Sequence, residues 1–552
     1  MKKKVIVHEE AITVESSVTI GVACRLGNVE LTRQLLLTGH RLFPDDRCWW
    51  PLHEAAYGLH LDCCKVLIDS GLCNVNAQAH DSVTPLMLVC RSTARCNEAL
   101  KVARYLLDNG ADPNLTTLDE MTPLIQAIKS KNRRLASLLI ERGANPLAVW
   151  YDGWSALHES ANVHDLIMMR QLINLGADVF AVDTHKHTPL MVAVQENFFE
   201  GTKLLLKAAA ERAAELANIP ISQGLTCVMA AADGGFVDIL RLLINYGANC
   251  NITRHPMWDD DDSHLHPIAA AALKNHLECV DLLIPHVNKE ILKRTEVDPV
   301  SAAAYSGSYE CLCLLLDAGF STEVPMRSCE QVGMIIPYLR PIFSRQYHTA
   351  LREAVRKGFT SIVKKLIEAG AKMIYVETCF SPFLFSFRNR IDPAILYLFL
   401  ENDVDINAMS VERLCDVPDA LVCALGSFNR RQLLLLLRCG LDPSLKNWCR
   451  CRNGYSLLYD VMQTTYVENI DKLMKLLVLF SPGIPSCCDE VAQIVGTSPE
   501  VPSLLHLCRL TVRKFFSTSK LLLGRFLDDI VVPYNLKDYM TFRFIPEDLL
   551  PS

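Results

Sequence analysis

The sequence of 552 residues lacks long apolar runs, a surplus of basic residues and a secretory start. No apolar run approaches the roughly 18 residues of a membrane helix, and even the five leucines of 433–437 end at Arg438. Acidic residues number 62 against 55 basic ones, which gives no basic footprint for nucleic acid. The start, MKKKVIVHEE, has too few apolar residues for a signal peptide. These absences predict a cytoplasmic protein, with the nucleus also open, that binds neither membrane nor nucleic acid.

Motifs for metals and catalysis are missing too. The 22 cysteines include no C-x-x-C, and the nearest approaches, Cys449 with Cys451 and Cys487 with Cys488, lack the spacing of a zinc knuckle. Without a signal peptide, the cysteines are better interpreted as reduced thiols that fill the core. No P-loop, G-x-S-x-G or H-E-x-x-H occurs. We therefore expect no cofactor, no metal and no catalytic residues.

What the sequence does contain is an internal repeat. It consists of two phrases, of which the second, such as LLDNGADPN, follows most copies of the first, T-P-L-x-x-A, by about twenty residues. The step from Thr122 to Ser155 and from Ser155 to Thr188 is 33 residues in both cases. The first phrase has the form T-P-L-x-x-A and recurs as WPLHEAA at 50, TPLMLVC at 84, TPLIQAI at 122, SALHESA at 155, TPLMVAV at 188, TCVMAAA at 226, HPIAAAA at 266, DPVSAAA at 298 and TALREAV at 349.

Each copy predicts a pair of short helices. Pro85, Pro123 and Pro189 stand where a first helix begins, a position at which the missing N–H is harmless. A leucine pair marks the second helix, and glycine follows where the chain needs a left-handed residue. These glycines are Gly110, Gly143, Gly176 and Gly247. One such pair cannot bury its own faces, so neighbouring pairs must stack.

This pattern resembles the ankyrin repeat and covers most of residues 17–480. The resemblance implies an all-α, curved ankyrin-repeat solenoid of about 12–13 repeats. Three departures are expected within it: a degenerate first repeat around residues 18–37, a second helix lengthened by the Ala-rich sequence after residue 203, and an insertion near 321–348.

Polar residues within the array favour structural roles. His53 and His158 occupy the T-P-L-H slot, where an imidazole usually bonds the turn of a neighbouring repeat, and we expect the adjacent Glu54 and Glu159 to be solvated. The stretch MWDDDDSHLH is an acidic loop, and its carboxylates lack the glycine and the spacing of a calcium site. A protein target is unknown; the candidate contacts in this loop are Trp258, Asp259 and Asp260.

Residues 503–516 predict a helix with two apolar surfaces. Taken at 100° per residue, one apolar arc spans about 120°, while Leu507 and Leu510 lie outside it. The residues of this arc are Leu504, Leu505, Cys508, Val512, Phe515 and Phe516. The end of the repeat stack can cover one surface, so something else must cover the second.

The stretch SLLHLCRLTV resembles the elongin-binding element of a suppressor of cytokine signalling (SOCS) box. Leu504, Cys508 and Val512 match its leucine, cysteine and aliphatic positions, one stripe of a helix, and Leu505 lies beside them. The resemblance implies that these four residues bind elongin C.

The stretch IVVPYNLKDYM resembles the cullin-binding element of the same box, of the form L-P-L-P-x-x-L-x-x-Y-L. Val532, Pro533, Leu536 and Tyr539 match it, and Met540 takes the last apolar position. Val531 stands where the first proline of the element is expected. Because proline would preset an extended backbone and valine does not, this departure bears on the strength and choice of cullin.

An ankyrin array followed by such a box is similar to the ankyrin repeat and SOCS box family. The family implies a non-catalytic substrate receptor of a cullin-RING ubiquitin ligase, in which a three-helix SOCS box docks elongin C, elongin B and a cullin, usually cullin five, with its RING protein. The repeats hold a target protein near the ubiquitin-carrying enzyme, and this proximity promotes its ubiquitination and degradation. The predicted domains are an N-terminal segment (1–16), the array (17–485), a connector (486–502) and the box (503–552).

Two alternatives remain open. The chain could be a non-ligase ankyrin scaffold that sequesters a partner, with residues 503–552 as a C-terminal cap. This alternative leaves the second apolar surface of helix 503–516 and the segment VVPYNLKDY without a role. An enzyme with a thiol nucleophile is the other alternative, although no cysteine has a readable histidine partner.

Overall fold

The computed structural model describes a chain of stacked helix pairs. Contacts divide the chain into two compact units, Met1–Ile252 and Thr253–Ser552. Among the described residues no helix is both long and apolar enough to cross a membrane. The described residues are 19–93, 96–150, 152–222, 224–253, 265–292, 297–323, 349–374, 381–387, 392–408 and 430–443, with 295, 420, 421, 424, 477, 480 and 521.

The described residues of the first unit form seven pairs, each made of a first helix and a second helix. Their first helices pack on one another in sequence order, as do their second helices. The pairs are Ile20–Arg25 with Val29–Leu37, Pro51–Tyr57 with Leu61–Asp69, Pro85–Cys90 with Cys96–Asp108, Pro123–Lys129 with Arg133–Glu141, Ala156–Asn162 with Leu166–Asn174, Pro189–Gln195 with Phe199–Ala209, and Cys227–Gly234 with Val237–Asn245. The first pair confirms the predicted degenerate repeat.

The second unit continues the pattern in its described residues. Two further helices, Lys289–Leu292 and Arg430–Arg438, have no described helix as a pair. The pairs are Pro267–Leu273 with Leu277–Leu283, Pro299–Ser306 with Tyr309–Asp317, Ala350–Lys357 with Thr360–Glu368, and Pro382–Phe385 with Pro393–Glu401. Of the predicted insertion, residues 324–348 lie outside the described residues. The described residues contain no β-strand, only an isolated bridge between Val149 and Ser155.

Local sequence explains where these helices begin and end. Proline occupies the first turn of several described first helices, and a preceding threonine caps three of these helices. In one of them the Thr122 hydroxyl accepts the N–H of Ile125 at 3.2 Å. The closing glycines have φ between +80° and +92°, as predicted, and at Gly110, Gly143 and Gly176 nothing lies within 4 Å of a Cβ placed there. Backbone conformation, not crowding, therefore requires glycine at these three positions.

The Ala-rich segment differs from the prediction of one lengthened second helix. Phe199–Ala209 ends at Ala210, where φ is +52°, and a short helix, Ala213–Ala217, follows after one 3₁₀ turn. The second helix thus ends at a residue with positive φ that is not glycine, and with ψ of −121° its conformation differs from the usual left-handed one. Helical propensity predicts the helices of this segment but not the break between them.

The described cysteines support the interpretation of core thiols. All of them are free, and most are buried. Burial raises the pKa of Cys24 and of Cys227 to about 12, so these thiols stay protonated and unreactive at neutral pH. Cys449, Cys451, Cys487 and Cys488 lie outside the described residues.

Candidate functional site

The predicted binding residues lie outside the described residues. This holds for both elements of the box and for the acidic loop, and their roles stay predictions. The residues are Leu504, Leu505, Cys508, Val512, Val532, Pro533, Leu536, Tyr539, Trp258, Asp259 and Asp260.

In the C-terminal segment, residues 481–552, the structure describes one residue, Leu521. Leu521 is helical and only 7% exposed. It lies against Gly440, the turn that closes helix Arg430–Arg438: a Cβ on Gly440 would come within 2.9 Å of Leu521 Cδ1. Gly440 also has φ of +103°, which other residues rarely adopt. Leu521 therefore packs on the turn that closes helix Arg430–Arg438.

Histidines tie neighbouring repeats together at two places, as predicted. The His53 Nδ1 accepts the N–H of Trp50 at 3.2 Å, and its Nε2 lies 3.0 Å from the carbonyl oxygen of Val83 in the next repeat. His158 repeats this arrangement, with Nδ1 3.2 Å from the Ser155 nitrogen and Nε2 2.9 Å from the His187 carbonyl. Burial lowers the pKa of both imidazoles, which favours the neutral ring with the proton on Nε2.

The loop before a first helix is here called the finger loop, and several finger loops are joined to the next one by backbone hydrogen bonds. The Leu118 N–H donates to Asp81 O at 2.9 Å, and the Thr184 N–H donates to Asp152 O at 2.8 Å. The Ser222 N–H makes the equivalent bond to His185 O at 2.8 Å. Side chains of successive finger loops are thereby set at fixed spacing beside the first helices.

A charged cluster, here called the Trp49 site, consists of Arg25, Asp45, Arg47, Trp49 and Glu54. The Glu54 carboxylate is only 3% exposed and pairs with two guanidinium groups, Arg25 Nη2 at 2.6 Å and Arg47 Nη2. Arg47 also pairs with Asp45 at 2.7 Å, and its guanidinium lies 4.1 Å from the centroid of the Trp49 ring. The buried carboxylate is thus neutralised by arginines of its own chain, one of them stacked on tryptophan.

An open cleft of about 490 Å³ borders the Trp49 site. Arg25, Glu54 and Trp49 line it together with the exposed Phe43 and with Arg41. The lining therefore mixes aromatic and positively charged groups, which is typical of protein-binding surfaces.

A second cluster, here called the Trp154 site, consists of Trp154, Glu159 and Asn162, and Asp152 lies on the same finger loop as Trp154. Glu159 is also only 3% exposed, but it accepts from neutral donors: Trp154 Nε1 at 2.9 Å and Asn162 Nδ2 at 3.3 Å. Within the described residues Glu159 has no ion pair. The Trp154 ring lies over His158, with centroids 5.1 Å apart.

The expectation that Glu54 and Glu159 are solvated was wrong. Residues of the finger loop cover each carboxylate: Arg47 in one repeat and Trp154 in the other. Sequence reasoning also missed these two covering residues. The signal that could have found them is a tryptophan one residue before the helix cap in both repeats that contain the H-E pair, as WWPLHE and GWSALHE.

Metal binding can be addressed only for the described part of the chain. No group of three or more histidine, cysteine, aspartate or glutamate side chains in that part is arranged to hold a metal ion. The two sites just described are instead surfaces of charge, hydrogen bonds and aromatic rings, which suit recognition of another protein.

Comparison with known proteins agrees with the helix pairs. The family model for ankyrin repeats matches overlapping segments from residue 20 to residue 325, more than half of the chain. Ankyrin repeat and SOCS box protein 3 of Homo sapiens is 27% identical over 539 residues, which cover 95% of this chain and 94% of that protein.

Two further relatives carry the same family name. The Bos taurus ankyrin repeat and SOCS box protein 3 is 27% identical over 540 residues, 95% of this chain and 93% of its own length. Ankyrin repeat and SOCS box protein 14 of Mus musculus is 25% identical over 303 residues, covering 50% of this chain and 49% of its own. The chain therefore belongs to the ankyrin-repeat proteins, and along nearly its whole length it is similar to ankyrin repeat and SOCS box proteins.

Proposed function

We propose that the protein is the substrate-recognition subunit of an elongin B/C–cullin–RING ubiquitin ligase. Residues 503–552 act as a SOCS box that docks elongin C, with elongin B behind it, and a cullin, for which cullin five fits the family. The ankyrin repeats bind the target protein and present it for ubiquitination and proteasomal degradation. The chain makes and breaks no bond itself, since its contribution is to raise the effective concentration of target and ubiquitin-carrying enzyme.

The observation that carries this proposal is the extent of the similarity. The alignment with the human relative covers 95% of the chain, so at most about 5% is unaligned, fewer residues than the 50 of the proposed box. The likeness therefore extends beyond the repeats into the segment that contains Leu504, Cys508 and Val512. This supports a box of the type named in those relatives.

The packing of Leu521 against Gly440 adds support for where the box sits. A SOCS box that presents one apolar surface to elongin C must rest its other surface on the repeats. Leu521 is buried against the turn of the last described repeat helix, which is the contact that such an arrangement needs. A plain C-terminal cap would make the same contact, so the proposal needs a test that separates the two.

Co-purification of the tagged full-length chain with elongins and cullin provides that test. Changing Pro533, Leu536 and Tyr539 together to alanine should remove the cullin and keep elongins B and C, because these residues belong to the second element only. A cap would recruit none of these proteins in the native chain. Loss of elongins together with the cullin would mean that the two elements do not act separately.

The same variant has a matched control in the first element. Leu504→Pro with Cys508→Phe should remove the elongins and, with them, the cullin. The target should stay bound to both variants, because nearest-neighbour contacts stabilise the repeats independently of the box.

A further inference from the structure

The Trp49 and Trp154 sites are built on the same sequence positions. In both, tryptophan precedes the helix cap by one residue, histidine follows the cap by three and glutamate by four. Both histidines make the same two bonds, and both glutamates are 3% exposed. The two sites are therefore two versions of one local structure, and their differences can be compared position by position.

The Trp49 site shows which group completes this structure. Three residues before the cap stands Arg47, whose guanidinium pairs with the buried Glu54 carboxylate and stacks on the Trp49 ring at 4.1 Å. A planar guanidinium satisfies both neighbours at once, since its N–H groups bond the carboxylate while its face lies on the indole. The last residue of the preceding first helix, Arg25, adds a second pair.

The Trp154 site lacks the equivalent of Arg47. Three residues before the cap stands Asp152, a carboxylate in place of the guanidinium. The counterpart of Arg25 is Lys129, whose Nζ lies 5.0 Å from the centroid of the Trp150 ring and forms no ion pair within the described residues. Glu159 is left with two neutral donors, although a carboxylate can accept about four hydrogen bonds.

We infer that the Trp154 site binds an arginine side chain of a partner protein, which takes the place that Arg47 fills in the Trp49 site. This inference rests on the proposed function only in identifying that partner with the ligase target. The incoming guanidinium pairs with Glu159 and stacks on Trp154, while Asp152 adds a negative charge on the same finger loop.

The Trp154 indole currently stands where the arginine would donate. Its Nε1–H bonds Glu159 at 2.9 Å and helps to cover the carboxylate. A charged donor makes a stronger and shorter hydrogen bond to a carboxylate than a neutral indole does. Entry of the guanidinium therefore displaces the Nε1–H, and the indole moves to lie over the guanidinium, as Trp49 does over Arg47.

Arginine fits this site better than the other cationic side chain. A lysine ammonium is a compact, strongly hydrated charge without a flat face, so it gains less from the indole and from two carboxylate oxygens at once. A neutral side chain of the same shape would leave the buried charge of Glu159 without compensation.

The experiment follows the tryptophans by fluorine NMR. The full chain, whose six tryptophans are replaced by 5-fluorotryptophan, is titrated with N-acetyl-arginine methylamide. The Trp154 and Trp49 resonances are assigned with Trp154→Phe and Trp49→Phe. The Trp154 resonance should shift and saturate with a dissociation constant on the order of 1 to 10 mM. The Trp49 resonance should stay in place, because Arg47 already fills that site.

Two variants and two probes make the result specific. Glu159→Gln should weaken the response by about 10-fold or more, since it removes the charge but keeps the shape. Arg47→Ser should make the Trp49 resonance responsive to the same probe, while Arg25 still pairs with Glu54 and keeps the repeat folded. The two control probes are the citrulline and lysine counterparts of the arginine compound, of which the citrulline one is neutral and of equal shape. Each should shift the Trp154 resonance much less.

Three results would overturn the inference. These are a Trp154 resonance that stays unmoved by the arginine probe, one that responds equally to citrulline or to lysine, and an unchanged response in Glu159→Gln. The titration contains no elongin or cullin, so its failure would leave the ligase proposal standing. Loss of elongin binding in co-purification would equally leave the arginine site standing.

Discussion

The Trp49 and Trp154 sites each bury a glutamate at the same repeat position, but different groups cover the two carboxylates. In the Trp49 site two arginines of the chain neutralise Glu54. In the Trp154 site an indole and an amide cover Glu159 and bring no charge. The repeat framework is the same in both, so the difference comes from the finger loop and from the preceding helix.

This difference separates stability from recognition. A buried carboxylate is costly to desolvate, and an ion pair within the chain offsets that cost permanently. A carboxylate covered by neutral donors retains electrostatic capacity that a partner can use on binding. The Trp49 site is therefore expected to matter for folding and the Trp154 site for binding.

The largest effect should come from removing both cations of the Trp49 site. Arg25→Ala with Arg47→Ala leaves Glu54 buried without a charged partner. Both guanidiniums are about half exposed, so we expect a loss of about 2 to 4 kcal/mol in the local unfolding free energy, at or below the range for a fully buried pair. Hydrogen exchange of the segment 51–69 measures it.

Its control is the same double variant with Glu54→Gln added. Removing the uncompensated charge should recover most of the lost protection. If the triple variant is no better than the double one, the arginines act through packing alone.

A third buried carboxylate, Asp298, extends the comparison because its partners among the described residues are two backbone N–H groups, of Val300 and Ser301. Burial raises the pKa of Asp298 to about 7, above its unfolded value. The protonated Asp298 carboxyl therefore contributes its whole share of the folding stability below about pH 3.9. This contribution is lost as pH rises through about 7. The free energy of unfolding of Asp298→Asn should exceed that of the native chain by about 1 to 3 kcal/mol between pH 5 and pH 8.

Denaturant unfolding at the two pH values measures this gain. The asparagine keeps the helix cap, so a loss at pH 5 would point to the cap and not to the charge. A gain that does not depend on pH would contradict the titration of Asp298.

The histidines should give a smaller effect, alike in both sites. Burial lowers the pKa of His53 and of His158 in the folded chain. Below about pH 6.5 these two histidines therefore bind protons more readily in the unfolded chain than in the folded chain. Stability is therefore present above that pH and is lost below it, by up to about 1 kcal/mol per histidine between pH 7 and pH 5.5.

Hydrogen exchange of His53→Gln and His158→Gln at the two pH values checks this effect. Each variant should show a flatter pH dependence in its own repeat. A flat response at one histidine and a steep one at the other would break the equivalence of the two sites.

The smallest effect on stability belongs to Glu159→Gln. The glutamine can accept the indole N–H and no ion pair with a described residue is lost, so we expect a change within about 0.5 kcal/mol or a slight gain. Hydrogen exchange of the segment 156–174 measures it beside Glu54→Gln, which should cost more. Equal losses in the two variants would contradict the distinction between the sites.

Much of this fold could be predicted from the sequence because its signals are local. The T-P-L phrase contains its own helix start, and the positive φ at Gly110 follows from the end of a second helix. The bonds of His53 and His158 to the next repeat were predicted from their slot and are confirmed. Such features need only one repeat and its neighbour.

The covers of Glu54 and Glu159 could not be predicted in that way. Their burial depends on a finger loop that folds back over the helix, so a position that is usually solvated becomes enclosed by Arg47 or Trp154. Ala210 was also missed, because helical propensity does not show where the second helix ends, and alanine there adopts φ of +52° although glycine would be less strained.

Calorimetric titration of the purified chain with the elongin B–elongin C heterodimer tests the ligase proposal most directly. The native chain should bind one heterodimer. Leu504→Pro with Cys508→Phe should lose roughly 3 to 6 kcal/mol from a lost leucine anchor and an overfilled cysteine site, a decrease of order 100-fold to 10,000-fold in affinity. No binding by the folded native chain, or equal binding by the double variant, would contradict the proposal.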